Sequence, residues 1–222
     1  MIEFIQQYSG IELLIVSVAY IVAIVFALTC HEFSHALVSY KQGDLTAKSQ
    51  GRLNLNPLNH IDPLGFICLL LFGFGWAKPV QVNNFKFKNY RRGIFLTSIS
   101  GIVTNFILAF LFTGLYVAVS PWLLATVEMS NIKMFVYYLL MFSITINLVL
   151  AFFNALPIPP LDGFNAISAF TRYDNKVLYY LRRYSLFILL ILIVSSLVDI
   201  AFGFLYNLTF PAFLNFWKFI LW

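Results

Sequence analysis

The sequence predicts an α-helical polytopic membrane protein. It would have a three-helix core, about two C-terminal membrane segments, and a short re-entrant hairpin and small β-sheet at the cytoplasmic face. Three observations carry this. Of 222 residues, 61% are hydrophobic and only 10% charged, against roughly 45–50% and about 25% in soluble domains. The 14 Lys and Arg are blocked along the chain: none lies in residues 1–40, eight fall between Lys41 and Arg92, and four fall between Arg172 and Arg183. Between the blocks lie uncharged runs long enough to cross a bilayer. At about 20 apolar residues per crossing, the chain holds about four to six membrane segments. Residues 1–222 therefore read as one integral-membrane domain.

Taken in order, residues 11–40 form a span whose ionisable groups are Glu12, His31, Glu32 and His35. Residues 94–119 and 134–156 are the second and third spans. Residues 184–222 are apolar but interrupted by Asp199, Gly203, Asn207 and Pro211, which suggests two short spans or a hairpin of half-helices. The apolar run in 63–77 is too short to cross comfortably and has basic flanks, so it reads as a re-entrant or surface hairpin. Around it, Arg52–Asn56 (RLNLN) and Pro79–Phe87 (PVQVNNFKF) alternate with the period of strands. They are expected to form a small surface sheet, with a second reading in which one edge stays open to an extended peptide.

The basic blocks set the topology. The N-terminus is expected outside, residues 41–92 and 157–183 in the cytoplasm, and the Pro121–Ile132 loop outside, in a bacterial cytoplasmic membrane. Loops of this kind meet anionic lipid headgroups, so the net charge of +5 is no argument for nucleic acid. Met1–Gly10 lacks a basic n-region, so the first segment is expected to be retained. Cys30 and Cys68 make no spacing pattern.

His31-Glu32-Phe33-Ser34-His35 is an H-E-x-x-H pattern near the cytoplasmic end of the first span. On a helix the two histidines lie about 40° apart around the axis and one turn apart along it, so both imidazoles reach one metal ion. Glu32 lies beside that face, where it suits a general base acting on water rather than a third ligand. Ionisable residues in a spanning helix each cost roughly 2.5–3.5 kcal/mol, so three together demand compensation. A hydrolytic zinc site needs a third protein ligand and an open position. Among His60, Asp44, Asp62, Glu128, Asp162, Asp174 and Asp199, topology favours Asp162. It follows an inward span and the break Asn154-Ala-Leu-Pro-Ile-Pro-Pro-Leu-Asp162-Gly163, and returns to the side of His35, whereas Glu128 is placed outside. The expected cofactor is Zn2+.

HEFSHA, GRLNLNPLNHIDPLG, WAKPVQVN and FNALPIPPLDG together resemble the intramembrane site-2 metalloproteases, over about residues 20–170 and in that family's order. The resemblance implies His31, His35 and Asp162 as zinc ligands and Glu32 as catalytic base. The family's middle core helix usually carries Gly-Pro-x-x-Asn; this chain keeps Gly101 and Asn105 without the proline. Larger members add a PDZ or CBS domain, for which this chain has no room, so it resembles a minimal, core-only member.

Ser143, Asn147 and Asn154 form a polar stripe on the third span. They read either as interhelical hydrogen-bonding groups or, for Asn154 together with Asn105, as groups holding the substrate carbonyl or its oxyanion. His60 and Asp62 read as structural or lid residues, Cys30 as packing, and Asp199 as an interface residue. The expected function is zinc-dependent endoproteolysis of transmembrane protein substrates near the cytoplasmic side. Two rivals remain: a membrane metalloprotease acting on soluble or lipidated proteins, and a non-enzymatic metal-binding protein or transporter.

Overall fold

The computed structural model describes Tyr8 and residues 10–72, 75–125, 130–171 and 175–222. Helix α1 is Gly10–Gln42, followed by the short α2, Thr46–Ser49, and by α3, Pro63–Phe72. Then come α4, Tyr90–Leu124; α5, Asn131–Asn154; α6, Asp162–Ser168; α7, Lys176–Val194; and α8, Leu197–Leu221. Helices α1, α4, α5 and α8 are long and apolar enough to cross a membrane. The runs read as three spans coincide with α1, α4 and α5, the third running two residues past the end of α5, and these helices pack on one another as the core of the molecule.

The packing is inverted relative to a soluble bundle. On α1 the buried face is Val16, Ala19, Ala23 and Ala27, while Ile11, Leu14, Val18, Val22 and Phe26 point outward. On α4 the buried row recurs every fourth residue, as Thr97, Gly101, Asn105, Ala109 and Thr113. Small and polar residues inside with large apolar ones outside is the pattern of helices in lipid, where close backbone approach replaces a hydrophobic drive. Side chains cap the starts of these helices: Asn89 Oδ1 accepts from Arg92 N on α4, and Ser130 Oγ accepts from Lys133 N on α5. Helix α8 docks on α4, with Phe213 and Trp217 against Phe110 and the Trp217 indole N–H donating to the Phe110 carbonyl at 2.9 Å.

One expectation for the loop changes. Among the described residues there is no strand at 52–56 or 79–87, only an isolated antiparallel bridge between Ile61 and Ala77. Side chains have taken the backbone groups a ladder needs. The Arg52 guanidinium donates to the carbonyls of Asn59, Lys78 and Pro79. Asn54, Asn56 and Asn83 accept the amides of Asn56, Leu58 and Phe85 in local turns, the competition with sheet pairing expected of Asn. Two further amides of the second segment go to carboxylates: Val80 N–H to Glu32 Oε2 at 2.8 Å and Asn83 N–H to Asp44 Oδ2 at 2.7 Å. The alternation is that of an extended strap held by side chains, without a strand edge. Within the apolar run in 63–77, Pro63–Phe72 forms the helix α3, and the segments flanking the run are joined by the Ile61–Ala77 bridge and by Lys78 N–H donating to His60 O.

At the C-terminus, α7 begins at Lys176, earlier than the expected 184, and α8 runs unbroken through Gly203, Asn207 and Pro211. A proline removes one helical hydrogen bond, and here the aromatic contacts with α4 hold the helix beyond it in place. No half-helix break forms. Asp199 is exposed in the first turn of α8, where a carboxylate suits the helix dipole.

Candidate metal centre

The three converging side chains come from α1 and from the start of α6. One turn of α1 presents His31 and His35 to the same side. The chain leaving α5 turns through Leu156, Ile158 and Leu161, with Ile158 N–H donating to Leu156 O and Leu161 N–H to Ile158 O. Asp162 is then the first residue of α6. Gly163 makes this approach possible, because a Cβ there would collide with the carbonyl of Ala155.

His31 Nε2 and His35 Nε2 are 3.1 Å apart, and each lies 3.2 Å from Asp162 Oδ2. The three atoms form a nearly equilateral triangle. Donors on a tetrahedral zinc with bonds of about 2.0–2.1 Å lie about 3.3–3.4 Å apart, so the spacing fits that ion. The hydrogen-bond chemistry points the same way. His35 Nδ1 lies 2.7 Å from the Thr97 carbonyl, which only accepts, so that nitrogen carries a proton. His31 Nδ1 lies 2.5 Å from Asn105 Oδ1 and donates likewise. Both Nε2 atoms therefore turn lone pairs inward, toward a buried carboxylate oxygen that has no hydrogen-bond donor. Three converging acceptors call for a cation.

The centre opens on a cavity of about 1100 Å³ lined by His31, Glu32, His35, Val80, Asn154 and Asp162, among others. Glu32 is separate from the donor triangle and is held from the opposite wall by the Val80 amide. Asn154 reaches this cavity, with its amide donating to Leu150 O at 3.0 Å. Asn105 does not: it is fully buried, with both ends of its amide bonded, to His31 and to Asn147. His60 is fully buried in the loop and bonds the Asn54 carbonyl at 2.8 Å, away from the three donors. Asp62 caps α3, accepting from Gly65 N at 2.8 Å. Glu128 and Asp174 lie outside the described residues.

Four residues on which the site depends carry no ligand-type signal. Thr97 acts through its carbonyl, Val80 through its amide, Arg52 by holding the strap, and Gly101 by having no side chain. A Cβ on Gly101 would lie 2.7 Å from both ring nitrogens of His31. The spacing of Thr97, Gly101 and Asn105 at every fourth residue hints that they share a face, and Gly101 and Asn105 also match the family's Gly-Pro-x-x-Asn pattern.

Three curated proteins align with most of this chain, and each carries the name Putative zinc metalloprotease. YwhC of Bacillus subtilis is 45% identical over 150 residues, 66% of this chain and 66% of its own length. MJ0611 of Methanocaldococcus jannaschii is 32% identical over 162 residues, 73% of this chain and 75% of its own. The chain belongs to the site-2 family of zinc metalloproteases. A third relative, Rip2 of Mycolicibacterium smegmatis, is 28% identical over 166 residues, 72% of this chain and 58% of its own. The chain thus spans just under two thirds of YwhC and little more than half of Rip2. No family model matches it, and no solved structure matches it significantly. For this site-2 metalloprotease, family and donor set agree on Zn2+ as the cofactor.

Proposed function

We propose that this site-2 metalloprotease is an intramembrane endopeptidase that cleaves transmembrane segments of single-span membrane proteins near the cytoplasmic side. The observation that carries the reading is the position of Glu32. It lines the same cavity as the three donors, next in sequence to His31, and is oriented by a backbone amide instead of joining the donor set. A metal transporter needs only the ligands; a hydrolase needs this extra carboxylate.

His31, His35 and Asp162 hold the ion. Zinc so bound supplies Lewis acidity, bringing the pKa of a coordinated water to about 7 and polarising a peptide carbonyl. The Val80 amide fixes one oxygen of Glu32 and thereby aims the other into the cavity. Glu32 takes the proton of the attacking water and afterwards returns it to the leaving amine. Asn154, on the cavity wall, is the residue we assign to the substrate carbonyl or its oxyanion. Large apolar residues on the outward faces of the helices keep bulk water from the site, while the cytoplasmic loops admit the water the reaction consumes.

The basic loops support a topology with the N-terminus outside and the site on the cytoplasmic side. His35 lies about 10 Å along the helix from the end of α1 at Gln42, close to cytoplasmic water yet within the span. A substrate helix conceals its carbonyls in its own hydrogen bonds and must unwind before attack, which favours substrates with helix-weakening residues on that side.

The test is Glu32→Gln in the purified full chain, reconstituted with a single-span substrate. Zinc content should match wild type, and cleavage should fall by roughly 10²–10⁴-fold, the scale of a lost general base. Undiminished cleavage in that variant overturns the assignment.

A further inference from the structure

Behind His31 runs a buried chain of hydrogen bonds that crosses all three core helices. Asn147 on α5 donates from Nδ2 to the Ser143 carbonyl at 2.7 Å. Its Oδ1 accepts from Asn105 Nδ2 on α4 at 2.7 Å. Asn105 Oδ1 then faces His31 Nδ1 on α1 at 2.5 Å. Both asparagines are fully buried.

The direction of this chain is compelled. A carbonyl has no proton, so Asn147 must turn its NH2 toward Ser143. An amide has one oxygen and one nitrogen, so Asn147 must then offer oxygen to Asn105, and Asn105 must in turn offer oxygen to His31. Only a protonated Nδ1 satisfies that oxygen. The backbone of α5 thus determines, through two side chains, that the His31 Nε2 lone pair faces Asp162 and His35. His35 obtains the same tautomer from a backbone carbonyl directly; His31 does not, because its neighbour is an amide that can turn over.

We propose that Asn147 is a positioning residue for the metal centre, acting through Asn105 to lock the amide orientation that makes His31 a ligand. It touches neither zinc nor substrate. The proposal rests on His31 being a zinc ligand. Partners that hold a ligating histidine in its tautomer typically contribute 10–100-fold in metal affinity.

The experiment measures zinc affinity of the detergent-purified full chain by competition with a chromogenic chelator, for wild type, Asn147→Leu, and the double variant Asn105→Asp with Asn147→Leu. In Asn147→Leu the Asn105 amide loses its lock and can present NH2 to His31, so affinity should fall 10–100-fold. In the double variant the carboxylate accepts from His31 Nδ1 whichever way it turns, so affinity should return to within a few-fold of wild type. A residue that only joined helices gives the opposite order, because adding a buried charge to a loosened interface does not recover binding. Unchanged affinity in Asn147→Leu, or no recovery in the double variant, overturns the proposal.

A second measurement needs no variant. Nitrogen-15 spectra of histidine-labelled wild type should show His31 protonated at Nδ1 in the zinc-loaded protein, and a proton at Nε2 instead overturns it. His31→Ala separates the two levels: zinc bound by that variant as tightly as by wild type refutes the ligand assignment itself, whatever Asn147 does.

Discussion

Gly101→Ala places one methyl group against His31, one of the three residues proposed to hold the zinc, and its effects can be worked out from the geometry. The added Cβ would press hardest on His31 Cε1 and lie 2.7 Å from both ring nitrogens, whereas ordinary contact begins at 3.4 Å, so the ring must retreat by about 1 Å. Metal–ligand distances tolerate about ±0.2 Å. A displacement several times that takes Nε2 out of bonding range, and the ring cannot simply swing, because Asn105 holds its Nδ1. The effect on the fold is smaller. Ala gains roughly 0.8–1.0 kcal/mol of helix propensity over Gly, against an overpacking cost of about 1–3 kcal/mol, so the helix survives. Zinc affinity should fall at least tenfold, with helical content unchanged. Chelator competition and circular dichroism on the same sample read the two separately. Gly203→Ala is the internal control, since nothing lies within 4 Å of its added Cβ. Full zinc affinity in Gly101→Ala would refute the reasoning.

Three further outcomes follow from the loop and the C-terminal helix. Arg52→Ala leaves the carbonyls of Asn59, Lys78 and Pro79 without their donor, a loss of about 1–3 kcal/mol for each one left buried; hydrogen exchange at the Val80 amide should accelerate at least tenfold, and unchanged exchange would count against the strap. Burial raises the Asp44 carboxyl, but hydrogen bonds from Thr46 and Asn83 and the Lys86 charge outweigh it and hold the group below its ordinary 3.8. Its ionised form therefore stabilises the loop fully above that ordinary value, and the contribution is lost as pH falls through the lower folded value. The stability gap between wild type and Asp44→Asn, measured by protease resistance with zinc removed from both, should be widest near neutrality and narrow below about pH 4; a gap independent of pH refutes it. Trp217→Phe removes the hydrogen bond to Phe110 O at about 0.6 kcal/mol, and Trp217→Ala costs several times more; both should leave zinc affinity unchanged, and a drop in affinity would show that α8 reaches the metal.

What the sequence disclosed depended on how far apart the relevant residues lie. His31 and His35 are one helical turn apart, so local periodicity alone brings them together. Asp162 is distant, yet acidic residues are scarce in this chain and the charge pattern predicts its return to the side of His35, where the structure brings the three together. The loop was harder to read. Arg52–Asn56 and Pro79–Phe87 alternate as strands do, but alternation records only which side chains face which way, and an extended strap bonded to Arg52, Glu32 and Asp44 has the same alternation as a ladder. The C-terminal helix was misread for a related reason. Pro211 and Gly203 weaken an isolated helix, and the aromatic contacts with α4 that override them involve residues about 100 positions away.

Helix α4 contributes no donor to the triangle, yet it governs both histidines. Thr97 supplies the acceptor for His35, Asn105 the acceptor for His31, and Gly101, midway between them, the space into which the His31 ring fits. These are one carbonyl, one neutral amide and one missing side chain, so none is ionisable and none belongs to a ligand motif. Because the three are four residues apart on one face, any sliding or rotation of α4 against α1 disturbs both tautomers and the packing of the ring together. Affinity for the metal and the register of the α1–α4 interface are therefore coupled. A perturbation that shifts α4 by a fraction of a turn from its lipid-facing side should weaken zinc binding without touching any residue in the cavity.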